Sequence, residues 1–371
     1  MSGLGFFLIL LFEALVIGSL MLLMLLYPPI ARRGLLFGVY VGEERWDSPE
    51  ARRIVRGWQA AVVVWTLASI GIVSALFQVF RTPFFMGMAV LFVAVSGMGL
   101  YLWAYFRARA LAVPGPPPPA VAALARSEGT PLLPFFILAA CVLCAVFAFV
   151  YCAARYSDLP ARVPTHFGPS GHPDAWRPKS FWTVMLMPLM TLIIGTGMGG
   201  VVYFTATAKR ALRYPQLQVS AEAQLKFRRA VTRFLSAISI VVTVMMTMIS
   251  VGSVRVGLGL ATNLSPWTMG ITVVLVVLAL GGTLWLALHY GQGGARLERS
   301  AGNAPLTDGL ADNRNWVLGV FYVNRDDPSI FVERRFGFGY TINFGNWKAV
   351  AFLAAFIGLI LLVTVMALIK N

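Results

Sequence analysis

A chain of 371 residues that is 58% hydrophobic and 12% charged, with a positive mean hydropathy, lies far from the roughly 25% charged content of soluble domains. That balance excludes an ordinary water-soluble globule. A formal net charge of +15 could serve nucleic acid, but its distribution between the apolar stretches excludes that partner too.

Eight hydrophobic runs, at about 4–27, 59–80, 83–106, 134–154, 181–206, 231–254, 267–290 and 348–369, are long enough to cross a ~30 Å hydrocarbon core. Inside lipid each must be helical, because a helix satisfies its backbone groups within one segment. The expected fold class is therefore an all-α integral membrane protein. With the N-terminus outside, 23 Lys and Arg fall in cytoplasmic connections and 7 in outer ones, the bias of the positive-inside rule. Both termini are then outside, and anionic headgroups account for the remaining positive charge. The first run has no basic n-region, and Arg32 and Arg33 follow it, so it reads as a permanent span rather than a cleaved leader.

In chain order, residues 1–106 form a three-helix membrane unit. Glu13 is the one acid inside a span, near the bilayer midplane, where an acid costs about 2.5–3.5 kcal/mol on insertion scales; it is an intramembrane functional candidate. Ser48-Pro49-Glu50 carries the residue order of a helix start. Residues 107–133 read as a cytoplasmic linker, since Pro114-Gly115 and the prolines after them favour a semi-rigid extended spacer. Residues 134–206 supply two helices flanking the signature 155–180. All three cysteines, Cys141, Cys144 and Cys152, lie in the first of these helices. No neighbouring charge favours a thiolate there, so they read as packing residues. In the second, Gly195 and Gly199 have the spacing that lets helices approach closely.

Residues 207–290 hold a basic cytoplasmic loop, with Lys226, Arg228, Arg229 and Arg233, and two more helices. Residues 291–347 form a cytoplasmic segment ending in β-branched and aromatic residues. Asn324, Asp326 and Asp327 mark a turn between two short strands. Arg334 and Arg335 suit a small sheet on the membrane surface, charges on headgroups. Residues 348–371 are the last helix.

The densest polar segment is 155–180. His166, His172 and Asp174 fall within nine residues on a loop bent by Pro164, Gly168, Pro169, Gly171 and Pro173. Two imidazoles and a carboxylate could hold a divalent ion, although no zinc spacing is present. The other reading is a structural loop in which Asp174 caps a turn, and no cofactor is expected. No nucleophile elbow, metalloprotease helix or phosphate-cradling loop occurs.

Tyr156, Leu159-Pro160, Val163-Pro164, His166-Phe167, Gly171, Pro173-Asp174, Trp176 and Lys179-Ser180 together resemble the extracytoplasmic domain of SdpI-like bacterial membrane proteins. Gly319, Tyr322, Asn324, Asp326-Asp327-Pro328 and Arg335-Phe336-Gly337, Gly339, Thr341, Asn343-Phe344-Gly345 resemble a short uncharacterised domain of such chains. Phe37-Gly38-Val39-Tyr40-Val41 resembles their cytoplasmic loop, with Tyr40 where Arg is frequent. The resemblance implies a non-enzymatic protein of the bacterial inner (cytoplasmic) membrane, with a role in immunity or signalling. Its partners would be the bilayer, an extracellular peptide or small molecule, and a cytoplasmic regulator. Pro164, His166, Gly171, His172, Asp174, Trp176 and Lys179 are the residues expected to bind a ligand or shape the loop. Two other classes stand beside this one: a transporter using Glu13 and the glycine-rich helices, and a metal-dependent outer-face enzyme using His166, His172 and Asp174.

Overall fold

The computed structural model describes residues 17–27, 30–80, 83–115, 124–125, 132–168, 170–207, 210–211, 217–300, 311–337 and 339–369. Glu13, Pro169 and most of the proline run lie outside them. The described helices are α1 (Ile17–Tyr27), α2 (Glu43–Trp46), α3 (Pro49–Phe80), α4 (Pro83–Arg109), α5 (Leu132–Ala154), α6 (Phe181–Thr207), α7 (Leu217–Gly257), α8 (Pro266–Tyr290), α9 (Ala295–Ser300) and α10 (Trp347–Ile369). Of these, α3 to α8 supply 6 helices long and apolar enough to cross a membrane. Ile17–Tyr27 and Trp347–Val363 are shorter apolar stretches at the two remaining expected spans. The chain is a helical membrane protein.

Local chemistry sets the helix starts. The Ser48 hydroxyl accepts from the Ala51 amide at 3.2 Å ahead of α3, and Ser180 accepts from the Thr183 amide at 3.0 Å ahead of α6. Each satisfies an amide that the first turn leaves orphaned. Large apolar side chains such as Val64, Leu67, Leu143 and Val277 are about two-thirds exposed. That outward face suits hydrocarbon.

The chain divides into two compact units, each discontinuous in sequence: Met1–Ala125 with Lys209–Phe227 and Leu284–Asn346, and Arg126–Ala208 with Arg228–Thr283 and Trp347–Asn371. Residues 291–346 thus cluster with the N-terminal spans.

In the second unit, α5 buries a stripe of small residues, Cys141, Ala145, Ala148 and Cys152. A Cβ on Gly199 of α6 would stand 3.0 Å from the Leu138 Cα, and one on Gly195 would stand 3.1 Å from the Thr243 hydroxyl. Close packing at the expected glycines is therefore present. The cysteines are free, with Cys141 and Cys152 buried. Along one face of α7, Ser236, Ser239, Thr243 and Ser250 return their hydroxyls to carbonyls four residues back. Hydroxyls in an apolar surround are satisfied this way without a partner helix.

The first unit is built around two short hairpins. β1 (Leu35–Leu36) pairs with β2 (Val39–Tyr40), and β7 (Trp316–Val317) pairs with β8 (Phe321–Tyr322). Phe37 and Gly38 close the first with positive φ (46° and 78°), and Leu318 and Gly319 do the same in the second (52° and 71°). Two left-handed residues match the twist of paired strands, and burial of Phe37 at 5.1 Å from the Trp58 ring holds a conformation that a non-glycine residue rarely adopts. The turns meet tip to tip. A Cβ on Gly38 would lie 2.6 Å from the Gly319 oxygen, and the Tyr101 hydroxyl is within reach of both the Phe37 and Leu318 carbonyls, at 3.3 and 2.8 Å.

A short strand does flank Asn324–Ser329 on each side, each in its own hairpin: β8 joins β7, and β9 (Phe331–Glu333) joins β10 (Tyr340–Ile342). The structure corrects the sequence reading at Arg335, which is not on the surface: it is 1% exposed. Its guanidinium donates to Asn313 Oδ1 at 2.7 Å and to the Gly38 carbonyl at 3.2 Å, over the Trp316 ring. Oriented oxygens on one guanidinium nitrogen and an aromatic face hold this charge away from headgroups. Arg334 stays exposed and donates to the Tyr340 carbonyl.

Candidate functional site

The signature segment forms a ribbon, β4 (Arg162–Phe167) against β5 (Pro173–Pro178), with register shifts around His166. Prolines are tolerated because each strand of a two-stranded ribbon is an edge. Buried Pro164 gives its carbonyl to the Ser253 hydroxyl of α7 at 2.8 Å. Gly171, at φ 77°, turns the chain between the strands, and its carbonyl accepts from the Leu264 amide at 2.8 Å.

His166 Nδ1 lies 2.5 Å from Asp174 Oδ1, the two side chains 55% and 50% exposed. Such an exposed pair adds at most about 1 kcal/mol but orients the ring. His172 is exposed and does not join them. Among the described residues, no three His, Cys, Asp or Glu side chains converge to hold a metal ion. Asp174 thus engages His166 across the ribbon and caps no turn. Trp176, 40% exposed, stands opposite Pro164 in the register.

Lys179 is a fastener. Its ammonium donates to the carbonyls of Leu159, Tyr156 and Ser157 at 2.7, 3.3 and 3.4 Å, over the Tyr156 ring. It ties the end of β5 to the turn that leaves α5. Lys179→Met strands these acceptors at a cost of about 1–3 kcal/mol. Hydrogen–deuterium exchange in residues 155–180 is expected to quicken by about 10-fold or more, with α7 unchanged.

Beneath the ribbon is a cavity of about 400 Å³, within the usual size range of small-molecule sites. Val184, Leu186 and Met187 of α6 and Ile249 and Val254 of α7 give it an apolar floor; Thr165, His166 and Arg177 give it a polar rim. Among the described residues His166 hydrogen-bonds to Asp174, not to a hydroxyl or thiol. The geometry suits an amphipathic guest, its apolar part on the helices and its polar part at the ribbon.

The other expected set, at 324–335, is a hydrogen-bonded knot. The Asn324 and Asp327 side chains accept from the Asp326 and Ser329 amides at 3.0 and 2.9 Å. Asn343, 0% exposed, holds both ends: Oδ1 accepts from the Asn324 and Gly345 amides, and Nδ2 donates to the Asn324 and Asp327 carbonyls. Asn313 plays the same part at β2, accepting from the Tyr40 amide at 2.9 Å and donating to its carbonyl at 3.0 Å. Burial pushes the Tyr322 phenol above its usual range; it donates to Asp327 at 3.0 Å. Hydrogen bonds from Arg314 hold the Asp312 carboxyl below the usual carboxylate range. Beside this knot lies a buried ion pair: Arg32 Nη2 reaches Glu333 Oε1 at 2.8 Å, with 3% and 12% of the side chains exposed. The same nitrogen donates to the Gly293 carbonyl at 2.8 Å, and Gln292 accepts from the Arg32 amide and donates to the Arg334 carbonyl. Sequence reasoning had singled out neither asparagine nor this pair, although Asn343 lies in a motif it had noted.

Two family descriptions match parts of the chain. Residues 143–192, which contain the ribbon and its flanking helix ends, match a domain of unknown function (DUF1648). Residues 325–350, which contain β9 and β10, match a family of unknown function (DUF5808). Neither reaches half of the chain. No curated protein and no solved structure matches it.

Proposed function

We propose that this is a non-enzymatic protein of the bacterial cytoplasmic membrane that recognises an extracellular amphipathic molecule, a peptide or small ligand, through the β4–β5 ribbon and the cavity below it. The cavity carries the reading: an apolar floor with a cationic and imidazole rim accepts an amphiphile. The charge count of the connections supports an outer position for the ribbon. The signature resembles that of SdpI-like immunity and signalling proteins, which makes a secreted membrane-active peptide the first ligand to try. Gly195, Gly197 and Gly199 face packed neighbours, which favours recognition over a transport path through α6.

The test is protection of a sensitive bacterial host from secreted membrane-active peptides, at matched protein level. Wild type is expected to raise the inhibitory concentration at least several-fold. Leu186→Trp, which fills the cavity and leaves the rim intact, and His166→Ala/Asp174→Ala should each remove most of that gain. Protection that survives both changes would sink the proposal.

A further inference from the structure

A second cavity, of about 570 Å³, opens in the first unit where α3 begins. Tyr27, Leu36 and Val55 make its apolar wall, and Trp46 stands at its side. Arg52 and Arg56 line its edge; both are exposed and, four apart, share one face of α3. The acid beside them, Asp47, is already 3.5 Å from Arg33. The groove therefore presents an apolar channel under two cations, and the acid in its lining is paired with Arg33.

Its depth is also informative. The apolar run of α3 begins at about residue 59, so at 1.5 Å per residue Arg56 and Arg52 sit about 5–10 Å before it, on the cytoplasmic side. Arginines there stand at the headgroup level, and Trp46 and Tyr27 are the aromatic types of that boundary. An amphiphile with a phosphate at this height and a chain below it is the bilayer's own lipid. A phosphate between two guanidinium groups forms charge-assisted hydrogen bonds. A lipid lacking its own ammonium leaves that attraction undiluted.

We propose that this groove binds one anionic phospholipid, its phosphate on Arg52 and Arg56 and an acyl chain along Tyr27, Leu36 and Val55.

The full chain is placed in phosphatidylcholine vesicles carrying a small fraction of either phosphatidylglycerol or phosphatidylcholine with brominated acyl chains. Quenching of Trp46 is read as the difference from Trp46→Phe. Brominated phosphatidylglycerol should quench it at least 3-fold more than brominated phosphatidylcholine at equal fraction. Arg52→Gln/Arg56→Gln should abolish the difference. Arg53→Gln, on the same turns but outside the groove lining, should keep it. Val55→Trp, which blocks the chain path with both arginines present, should also abolish it, with its added indole subtracted through Trp46→Phe/Val55→Trp. Equal quenching by the two lipids in wild type, or a preference that persists in both groove variants, overturns the site.

Discussion

Arg32→Met is expected to destabilise the first unit by about 3–5 kcal/mol, because removing one partner of a buried pair leaves the other charged and unsolvated. Glu333 would remain 12% exposed without the guanidinium at 2.8 Å, and the Gly293 carbonyl would lose its donor at 2.8 Å. Glu333→Met should be comparably damaging for the converse reason. The double variant Arg32→Met/Glu333→Met removes both charges together, and an apolar pair of similar volume is often close to neutral. It should therefore be more stable than either single variant, with a coupling of about 2 kcal/mol or more. Melting of the detergent-solubilised proteins, followed by tryptophan fluorescence, measures all corners of the cycle. Additive losses would mean that the two side chains act independently.

Gly38→Ala is the second severe change. The new Cβ would meet the Gly319 oxygen at 2.6 Å and its Cα at 2.9 Å, both backbone atoms, and the residue would have to hold φ 78°. Left-handed geometry costs a side chain about 1–2 kcal/mol, and an overpacked contact adds about 1–3 kcal/mol. The melting temperature should fall by about 5–10 °C on the scale of a domain of some 200 residues. Gly71→Ala, a helical glycine of α3 with nothing within 4 Å, is the control and should be neutral or slightly stabilising. Tyr101→Phe, which removes only the hydroxyl shared by the two turns, should fall between them.

The parts of this molecule that were legible in the sequence are those in which information is local. A membrane span is a property of its own twenty residues, and close-packing glycines declare themselves by spacing alone. The ribbon was only half legible. Its histidine, aspartate and glycine could be picked out, but Pro164 and Pro173 argued for a bent loop, and only pairing across the turn reveals two six-residue strands. That pairing brings His166 to Asp174 and leaves His172 apart. The knot was illegible for a different reason. Asn313 carries no local signal, and Arg335 reads as one more basic charge, because partners that engage them lie far along the chain. Nothing near Arg335 foretells Gly38, 297 positions away.

That separation has a consequence for how the protein is made. Arg32 emerges from the ribosome some 300 residues before Glu333, and at about 5–20 residues per second it must wait from about 15 s to a minute for its counter-charge. Throughout that interval the β1–β2 hairpin and the arginine beside it lack the strands that bury them. The nascent protein should thus be most vulnerable to proteolysis at residues 30–47 until the segment beyond Asn313 has been delivered, and its first loop should be among the last parts to become protected.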